Sequence, residues 1–430
     1  MARVILISPP YMKISRPTYD IPLALKKGVP FMNPALLISS SILKENEISN
    51  KIVKIFDISD EEVISSIDED TCLVGISVTC AWEYLEALKI AEIVKEKCSN
   101  KIKVLLGGWQ IKSIKEKVFE DSQYIDYAVI GDSEYSICEI YKSVLEGKDI
   151  DVSSVYKKNK VYNTNIEAVS FRVIDFSQFP DYKKYMPYVE ESRNCPFSCR
   201  FCLNSCVKDR YQCVPYDIFV KNVDNVSLLY GGDCEAHLLA ANFGVNYKET
   251  IKKLEYLSAK NMRWNIELHV DNPWDKYIHL LPGAGISKVS IGFESGSKTI
   301  LRYMNKTVDP NRYLERLSVL MSKLNEQGIK PSLNLLFDYR ETKETIQESI
   351  RYLKANQEKI KKIKTNFMFA FDGLLDKIDY SYNPNIIVDD YGKSIHAYPL
   401  LPSFLNLQEV YYIMDELEHG NYDENLLSKF

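Results

Sequence analysis

Histidine is scarce, with five in 430 residues and none before His237. Long apolar runs are missing as well, and no stretch approaches the ~20 residues that a membrane-spanning helix needs. The opening Met1-Ala-Arg-Val-Ile-Leu-Ile-Ser-Pro-Pro is a strand in length, too short for a secretion signal. A cytoplasmic chain without a membrane partner is expected. Positive charge is not in excess: 54 Lys and Arg stand against 59 Asp and Glu, a net charge of −5 and a pI near 5.8. Phosphate backbones need a basic stripe, so no nucleic-acid partner is expected. There is no internal repeat or low-complexity tract. What is present is an ordinary globular composition, 46% hydrophobic and 26% charged, long enough for two or three domains.

Cysteine is present in quantity. Ten cysteines in a reducing compartment do not form a disulfide framework, which leaves them as metal ligands or small buried hydrophobes. Three fall in the run Asn194-Cys-Pro-Phe-Ser-Cys-Arg-Phe-Cys202. This Cys-x3-Cys-x2-Cys spacing supplies three thiolates from one short loop. A 4Fe–4S cluster ordinarily takes four cysteines, so Cys195, Cys199 and Cys202 would leave one iron open to a ligand. Structural zinc usually wants a second Cys-x2-Cys pair or nearby histidines, and neither is here. Cys206, Cys213 and Cys234 follow closely; each is a small core filler or, alternatively, a hydrogen donor or auxiliary-cluster ligand.

Short β-branched runs at 4–7, 51–56, 73–78, 103–106 and 128–130 alternate with helical patterns at 34–45, 82–97 and 111–119. That rhythm predicts a doubly wound parallel sheet covered on both faces. Its ligand edge lies at the strand carboxyl ends, where Ser8-Pro-Pro, Asp57-Ile-Ser, Ser77-Val-Thr79, Gly107-Gly-Trp-Gln and Gly131-Asp-Ser-Glu134 follow the strands. The rhythm lapses across 150–188, a linker, and resumes at Val189. Strands near 226–230, 264–270, 288–293, 330–336 and 364–371, with helices at 247–259, 310–327 and 343–358, predict a partial (β/α)6 barrel over 189–375. A C-terminal extension over 376–430 ends in a helix at 407–418.

Barrel chemistry rides on loops at the strand carboxyl ends, which places the cysteine loop at the mouth. Phe201 is expected to pack on a cofactor ring or to cap the barrel. Gly231-Gly232-Asp233 is read as the loop after the second strand, where glycines expose backbone and the acid meets an ammonium. Glu294, in Gly292-Phe-Glu-Ser-Gly-Ser297, is placed to meet a charged ligand. Asn265, Glu267, His269 and Asp271 turn to one face of the third strand and predict a polar mouth.

Taken in order, the cysteine loop, Gly231-Gly-Asp233, and Ser290-Ile-Gly-Phe-Glu-Ser-Gly-Ser-Lys298 followed by Ile300-Leu-Arg-Tyr-Met-Asn-Lys306 resemble the radical S-adenosylmethionine superfamily. With Ser8-Pro-Pro, Gly75-Ile-Ser-Val-Thr79, Leu106-Gly-Gly108, Tyr127-Ala-Val-Ile-Gly-Asp-Ser-Glu134 and Glu191-Ser-Arg-Asn-Cys195, the resemblance extends over residues 2–375 to the branch with a fused cobalamin-binding domain. It implies a 4Fe–4S cluster on Cys195, Cys199 and Cys202, and S-adenosylmethionine chelated at the open iron near Phe201, Gly231, Gly232, Asp233, Glu267, Glu294 and Ser295. One electron, from a flavodoxin or ferredoxin-type donor, would release a 5′-deoxyadenosyl radical. In residues 1–149 it implies cobalamin cradled by Ser77, Thr79, Gly107, Gly108, Gly131 and Glu134, and hence methyl transfer to a small molecule or peptide.

The chain also departs from that pattern. No Asp-x-His-x-x-Gly is present to ligate cobalt from below. Asp132-Ser133 stands for Glu-Gly, Asp233 for the glutamate of Gly-Gly-Glu, and Asp338-Tyr-Arg-Glu-Thr342 for Gly-x-Pro-Gly-Glu-Thr. A second reading therefore keeps the radical chemistry without cobalamin, giving cyclisation, epimerisation, rearrangement or unusual alkyl transfer. A third, of another class, is a non-catalytic iron–sulfur or zinc protein.

Overall fold

The structure, a computed structural model, describes residues 3–10, 32–132, 134, 136–148, 155–157, 171–205, 210–375, 378–388, 390–423 and 425–430. They separate into two compact units: 1–186 with 371–373 and 393–397, and 187–370 with 374–392 and 398–430. The segments expected as linker and C-terminal extension are shared between the units in this way, and part of the linker lies outside the described residues.

In the first unit the chain runs β1 (Arg3–Ser8), α1 (Pro34–Glu45), β2 (Asn50–Lys54), α2 (Asp60–Ser66), β3 (Thr71–Ser77), α3 (Tyr84–Ile93), β4 (Lys103–Gly107), α4 (Trp109–Ile114), α5 (Val118–Asp121), β5 (Tyr127–Val129), α6 (Ile137–Glu146) and β6 (Val155–Lys157). The strand order is β2-β1-β3-β4-β5-β6, parallel throughout except that β6 joins β5 antiparallel. The expected doubly wound sheet is therefore present, with β6, α2 and α6 added to the predicted elements. Strand β1 is central because Val4, Ile5, Leu6 and Ile7 are all buried; each contributes about 1.5–3 kcal/mol by leaving water. The start of α1 is fixed by Pro34 in its first turn and by the Asn33 side chain, which accepts from the Leu36 N–H.

The second unit runs β7 (Tyr188–Glu190), β8 (Ser192–Arg193), β9 (Gln212–Cys213), α7 (Tyr216–Tyr230), β10 (Glu235–Leu239), α8 (Tyr247–Leu257), β11 (Arg263–Leu268), β12 (Ile286–Glu294), α9 (Lys298–Tyr303), α10 (Pro310–Glu326), β13 (Ser332–Phe337), α11 (Lys343–Asn356), β14 (Lys362–Phe371), β15 (Asn385–Ile386), β16 (Ala397–Leu401) and α12 (Leu407–Glu418). The main sheet has the order β15-β16-β14-β13-β12-β11-β10-β7, and the six strands from β7 to β14 are parallel, the predicted partial barrel.

One predicted strand is wrong. Residues 226–230 form the last turn of helix α7, and the second barrel strand is β10. Phe219, Asn222, Val223 and Val226 are buried at steps of three and four, a helical stripe that outweighs the β-propensity of the short run Val226-Ser-Leu-Leu-Tyr230.

The first unit is closed by a residue from far along the chain. His396, held at φ 54, is hydrogen-bonded through both ring nitrogens, 2.7 Å from Asp121 and 2.7 Å from Asp372, whose carboxylates accept. Tyr84 also donates to Asp121, and Lys117 pairs with Asp372 at 2.8 Å. Burial alone would lower the His396 pKa, but the two carboxylates outweigh it and push it up to about 9. The His396 bond, against burial and with help from Lys117, holds Asp372 down at about 2. With a raised folded-state pKa, the stability His396 carries is complete below its ordinary value of 6.5 and is lost as pH rises toward 9. Wild-type protein is expected to lose stability across that window. His396→Asn, which tolerates left-handed backbone but cannot bridge two acids, is expected to flatten the slope. Urea unfolding at several pH values checks this, and parallel slopes for the two proteins would remove the bridge from the account.

Candidate active site

The cysteine loop is closed at its base by the two-stranded pairing of β8 with β9, Ser192 opposite Cys213 and Arg193 opposite Gln212. Beneath that stem lies a buried knot. Lys253, 1% exposed, donates to the Glu191 carbonyl at 2.9 Å and to Cys213 Sγ at 3.2 Å, and lies 3.5 Å from the fully buried Glu191 carboxylate. Within the loop, Asn194 adopts φ 61 and its side-chain amide donates to the Arg210 carbonyl at 3.1 Å. The loop is also tied to the segment after α9: Arg200 N–H donates to the Met304 carbonyl at 2.8 Å, and the Asn305 amide donates to Ser198 O and Oγ at 2.9 and 3.0 Å.

The three predicted ligands sit together on this loop. Their charges act on one another, and burial raises all three thiol pKa values, Cys199 to about 11; Lys306 opposes the rise at each. Lys306 itself is buried and forms a 2.9 Å ion pair with Glu294. Burial works against its ammonium, and Glu294 with Tyr313 more than compensates, so its pKa is raised. Glu294 reaches this position from φ 62, just past an irregularity in the β12–β13 register. Gly292 leaves room for the pair: a Cβ there would lie 2.5 Å from Glu294 Oε1 and 2.7 Å from Lys306 Nζ. Ser295 faces elsewhere, with its hydroxyl 3.1 Å from that of Ser349 on α11. Phe201 packs beside Tyr339, Met368, Ala370 and Leu400, with Lys306 5.9 Å from its ring centre.

The glycine motif moves. Because residues 226–230 are helical, Gly231, Gly232 and Asp233 precede β10, at the end of the strand away from the cysteine loop, where Asp233 is exposed and pairs with Arg263 at 2.7 Å. The residue that does follow β10 toward the cysteines is Asn242. It is buried, accepts from the His269 N–H at 3.1 Å, exchanges hydrogen bonds with Asn272, and lies against the Cys195 thiol. The period-two alternation of Glu235-Ala-His-Leu-Leu239 was the signal that would have located it. Glu267 lies on β11 as expected. His269 stacks on Phe197 of the cysteine loop at 3.9 Å and is driven down to about 2 by burial and Lys306. Cys234 flanks Asp233, Cys213 belongs to the stem, and Cys206 lies outside the described residues.

In the first unit, Ser8, Ser77, Gly107 and the residues after β5 reach the carboxyl edge of the sheet. Ser77 is 3.3 Å from Asn33 Oδ1, and Thr79 gives both its N–H and its hydroxyl to Glu83, at 2.6 and 2.7 Å. A Cβ on Gly107 would meet nothing closer than 3.8 Å, whereas one on Gly108, at φ 103, would strike the Val78 carbonyl at 2.4 Å. Gly108 is thus required by the turn, whereas a side chain at Gly107 would rest in ordinary contact with Val129. Trp109, beside them, is 39% exposed with Lys112 5.3 Å from its ring centre. Gly131 and Glu134 are half-buried in the loop after β5.

Residues 189–353 match the model of the radical SAM superfamily, so the second unit is a radical S-adenosylmethionine domain. The whole chain shares its fold with larger proteins of that kind. It superposes on the radical S-adenosylmethionine methyltransferase TsrM from Kitasatospora setae, solved with tryptophan substrate and an S-adenosylmethionine analogue, with TM-score 0.76, 15% identity, 97% of this chain and 89% of that one. For the cobalamin-dependent S-adenosylmethionine radical enzyme OxsB, solved with aqua-cobalamin and S-adenosylmethionine, the values are 0.75, 16%, 97% and 67%. In sequence it is 24% identical over 310 residues to an uncharacterized methyltransferase of Pyrococcus horikoshii, covering 68% of this chain and 66% of the relative.

The residues present suit those groups. Cys195, Cys199 and Cys202 give three soft donors on one loop, the donor chemistry that an iron–sulfur cluster takes.

Removing the ammonium beneath the loop stem tests how the loop is held. Lys253→Met leaves the Glu191 carboxylate buried without a counter-charge and is expected to cost about 3–5 kcal/mol in urea unfolding. The Glu191→Gln/Lys253→Met double variant should recover part of it; equal losses in both would place the cost in packing.

Proposed function

We propose that the protein is a cytoplasmic cobalamin-dependent radical S-adenosylmethionine methyltransferase acting on a small molecule or peptide, with electrons from a flavodoxin or ferredoxin-type donor. The observation that carries this reading is the set of three cysteines on one loop, Cys199 buried and Cys195 and Cys202 half-buried, at the mouth of a six-stranded parallel half-barrel, in a chain that also carries a parallel sheet with the Gly107-Gly108 turn at its carboxyl edge. When bound, a 4Fe–4S cluster supplies one electron to the S-adenosylmethionine sulfonium, and cobalamin supplies a methyl carrier.

The chain's own contributions follow from geometry. Cys195, Cys199 and Cys202 give up their protons to hold iron, which the neighbouring Lys306 ammonium favours electrostatically. Glu294 fixes Lys306 in place, and Gly292 gives both room. Asn242 and the Phe197–His269 stack hold the loop's inner side, and Phe201 closes its other flank against water. In the first unit, the Gly107-Gly108 turn and the exposed Trp109 ring at the carboxyl edge of the sheet are what would meet a corrin.

One observation favours the second reading. Thr79 is fully engaged with Glu83, and Ser77 with Asn33, so these hydroxyls are committed within the chain. A corrinoid-free radical enzyme would leave them so.

Anaerobic reconstitution is expected to give about four irons per chain in wild type and little in Cys199→Ala. With reductant, cobalamin and S-adenosylmethionine, the protein is expected to form S-adenosylhomocysteine and 5′-deoxyadenosine. A loaded cluster that produces neither would refute the reading, and 5′-deoxyadenosine without any corrinoid absorption in protein expressed with cobalamin would establish the second one.

A further inference from the structure

The half-barrel has one face packed against its helices and one turned inward. Trp264, Ile266 and Leu268 of β11 are buried on the first, as are Val289, Ile291 and Phe293 of β12. The alternate residues carry polar groups, and strand register sorts them into rows. Asn265 is paired with His237 and Lys288, and Glu267 with Ser290, which is in turn paired with Ser332. The lower row is closed by its own bonds: Asn265 donates to Glu235 at 2.8 Å, and Lys288 pairs with the same carboxylate.

The upper row is not closed. Lys364, on β14, reaches across to donate at 3.0 Å to the hydroxyl of Ser290, the residue in register with Glu267. Among the described residues the Glu267 side chain has no hydrogen bond or ion pair, although it is exposed to the lumen, and Lys364 has no carboxylate partner. The two charges nonetheless act on one another. Desolvation pushes the Glu267 carboxyl up and the Lys364 ammonium down, and each is pulled back by the other. His237, on the same face, is held neutral by burial and by Lys364, down to about 4, so it adds no competing charge. An acid and a base that share one inward face without joining make a split ion pair, and a ligand carrying both opposite charges completes it.

We propose that Glu267 and Lys364 form the polar end of the substrate site and take a free zwitterionic α-amino acid, the ammonium on Glu267 and the carboxylate on Lys364 with Ser290. This rests on the radical-enzyme reading of the second unit and names the substrate class for it. It also assigns the pair to substrate and leaves the methionyl end of S-adenosylmethionine at the cysteine loop.

The test is equilibrium binding rather than turnover. Full-length chain, anaerobically reconstituted with iron and sulfide, is titrated calorimetrically with the twenty standard L-amino acids and, separately, with S-adenosylmethionine. At least one amino acid is expected to bind, and its carboxamide and its deamino analogue are each expected to bind about tenfold or more weakly, as loss of a charged hydrogen bond predicts. Glu267→Gln should erase the preference for the amine and Lys364→Met the preference for the carboxylate, while Lys364→Arg restores the latter. The analogue series on wild type decides the matter even if a variant fails to fold. Iron loading with S-adenosylmethionine binding but no bound amino acid overturns the proposal and leaves the radical reading standing. So does a loss of S-adenosylmethionine affinity in Glu267→Gln and Lys364→Met equal to the loss for the amino acid. Amino-acid binding with these preferences in protein that holds no iron supports the site and removes the radical reading instead.

Discussion

A carboxylate and an ammonium buried side by side, Glu294 with Lys306, set the terms for everything around the cysteine loop. Two desolvated charges are tolerable only when their geometry is good, and this geometry makes demands on the chain in both directions. Upstream, it needs a glycine at 292 and a left-handed residue at 294. Downstream, it needs Lys306 delivered by the turn after α9, and that same turn holds the cysteine loop through Met304 and Asn305. The short stretch from β12 to Lys306 therefore carries the counter-charge for the thiols and the clamp for their loop. A positive charge held beside three thiols whose burial opposes ionisation favours the deprotonated form that binds iron.

The strand periodicity does comparable work inside the barrel. Successive residues of a strand face opposite ways, so one set packs against helices while the other is free to be polar. Glu235, Asn265 and Lys288 neutralise one another near the amino ends of the strands, and Glu267, Ser290 and Lys364 lie one step closer to the cysteines. The polarity expected for Asn265, Glu267 and His269 is present, but the three differ in what they do: Asn265 is bonded to Glu235, His269 stacks on Phe197, and the Glu267 side chain has no hydrogen bond or ion pair among the described residues.

What could be read from sequence follows from how local each signal was. The three ligand cysteines lie within the short run from Cys195 to Cys202, so their spacing is a local signal. Helix α1, with Asn33 and Pro34 at its start, and helix α12, over Leu407–Glu418, stand where their patterns put them, and the parallel alternation gave the right architecture for both units. The misreading at Val226–Tyr230 arose because a short, mostly apolar run looks the same in a strand and in one buried helical turn; the longer stripe from Phe219 decides. That one error carried Gly231–Asp233 to the wrong end of the barrel and hid Asn242. Lys306 ends the run that begins at Ile300, yet its partner is out of reach of any sequence argument, since Glu294 meets it only through a backbone turn at positive φ. Pairings set by three-dimensional register, such as Lys364 with Ser290, are likewise invisible along the chain.

The bridge made by His396 has a consequence for the order in which the protein comes into being. Asp121 and Tyr84 are synthesised early, but the histidine that joins Asp121 to Asp372 follows residue 186 by more than 200 positions. At 5–20 residues per second, that is a wait of roughly 10 to 40 seconds at the ribosome. The first unit to emerge is thus the one that must stay unfinished longest, and its final contact forms only after nearly all of the second has been translated.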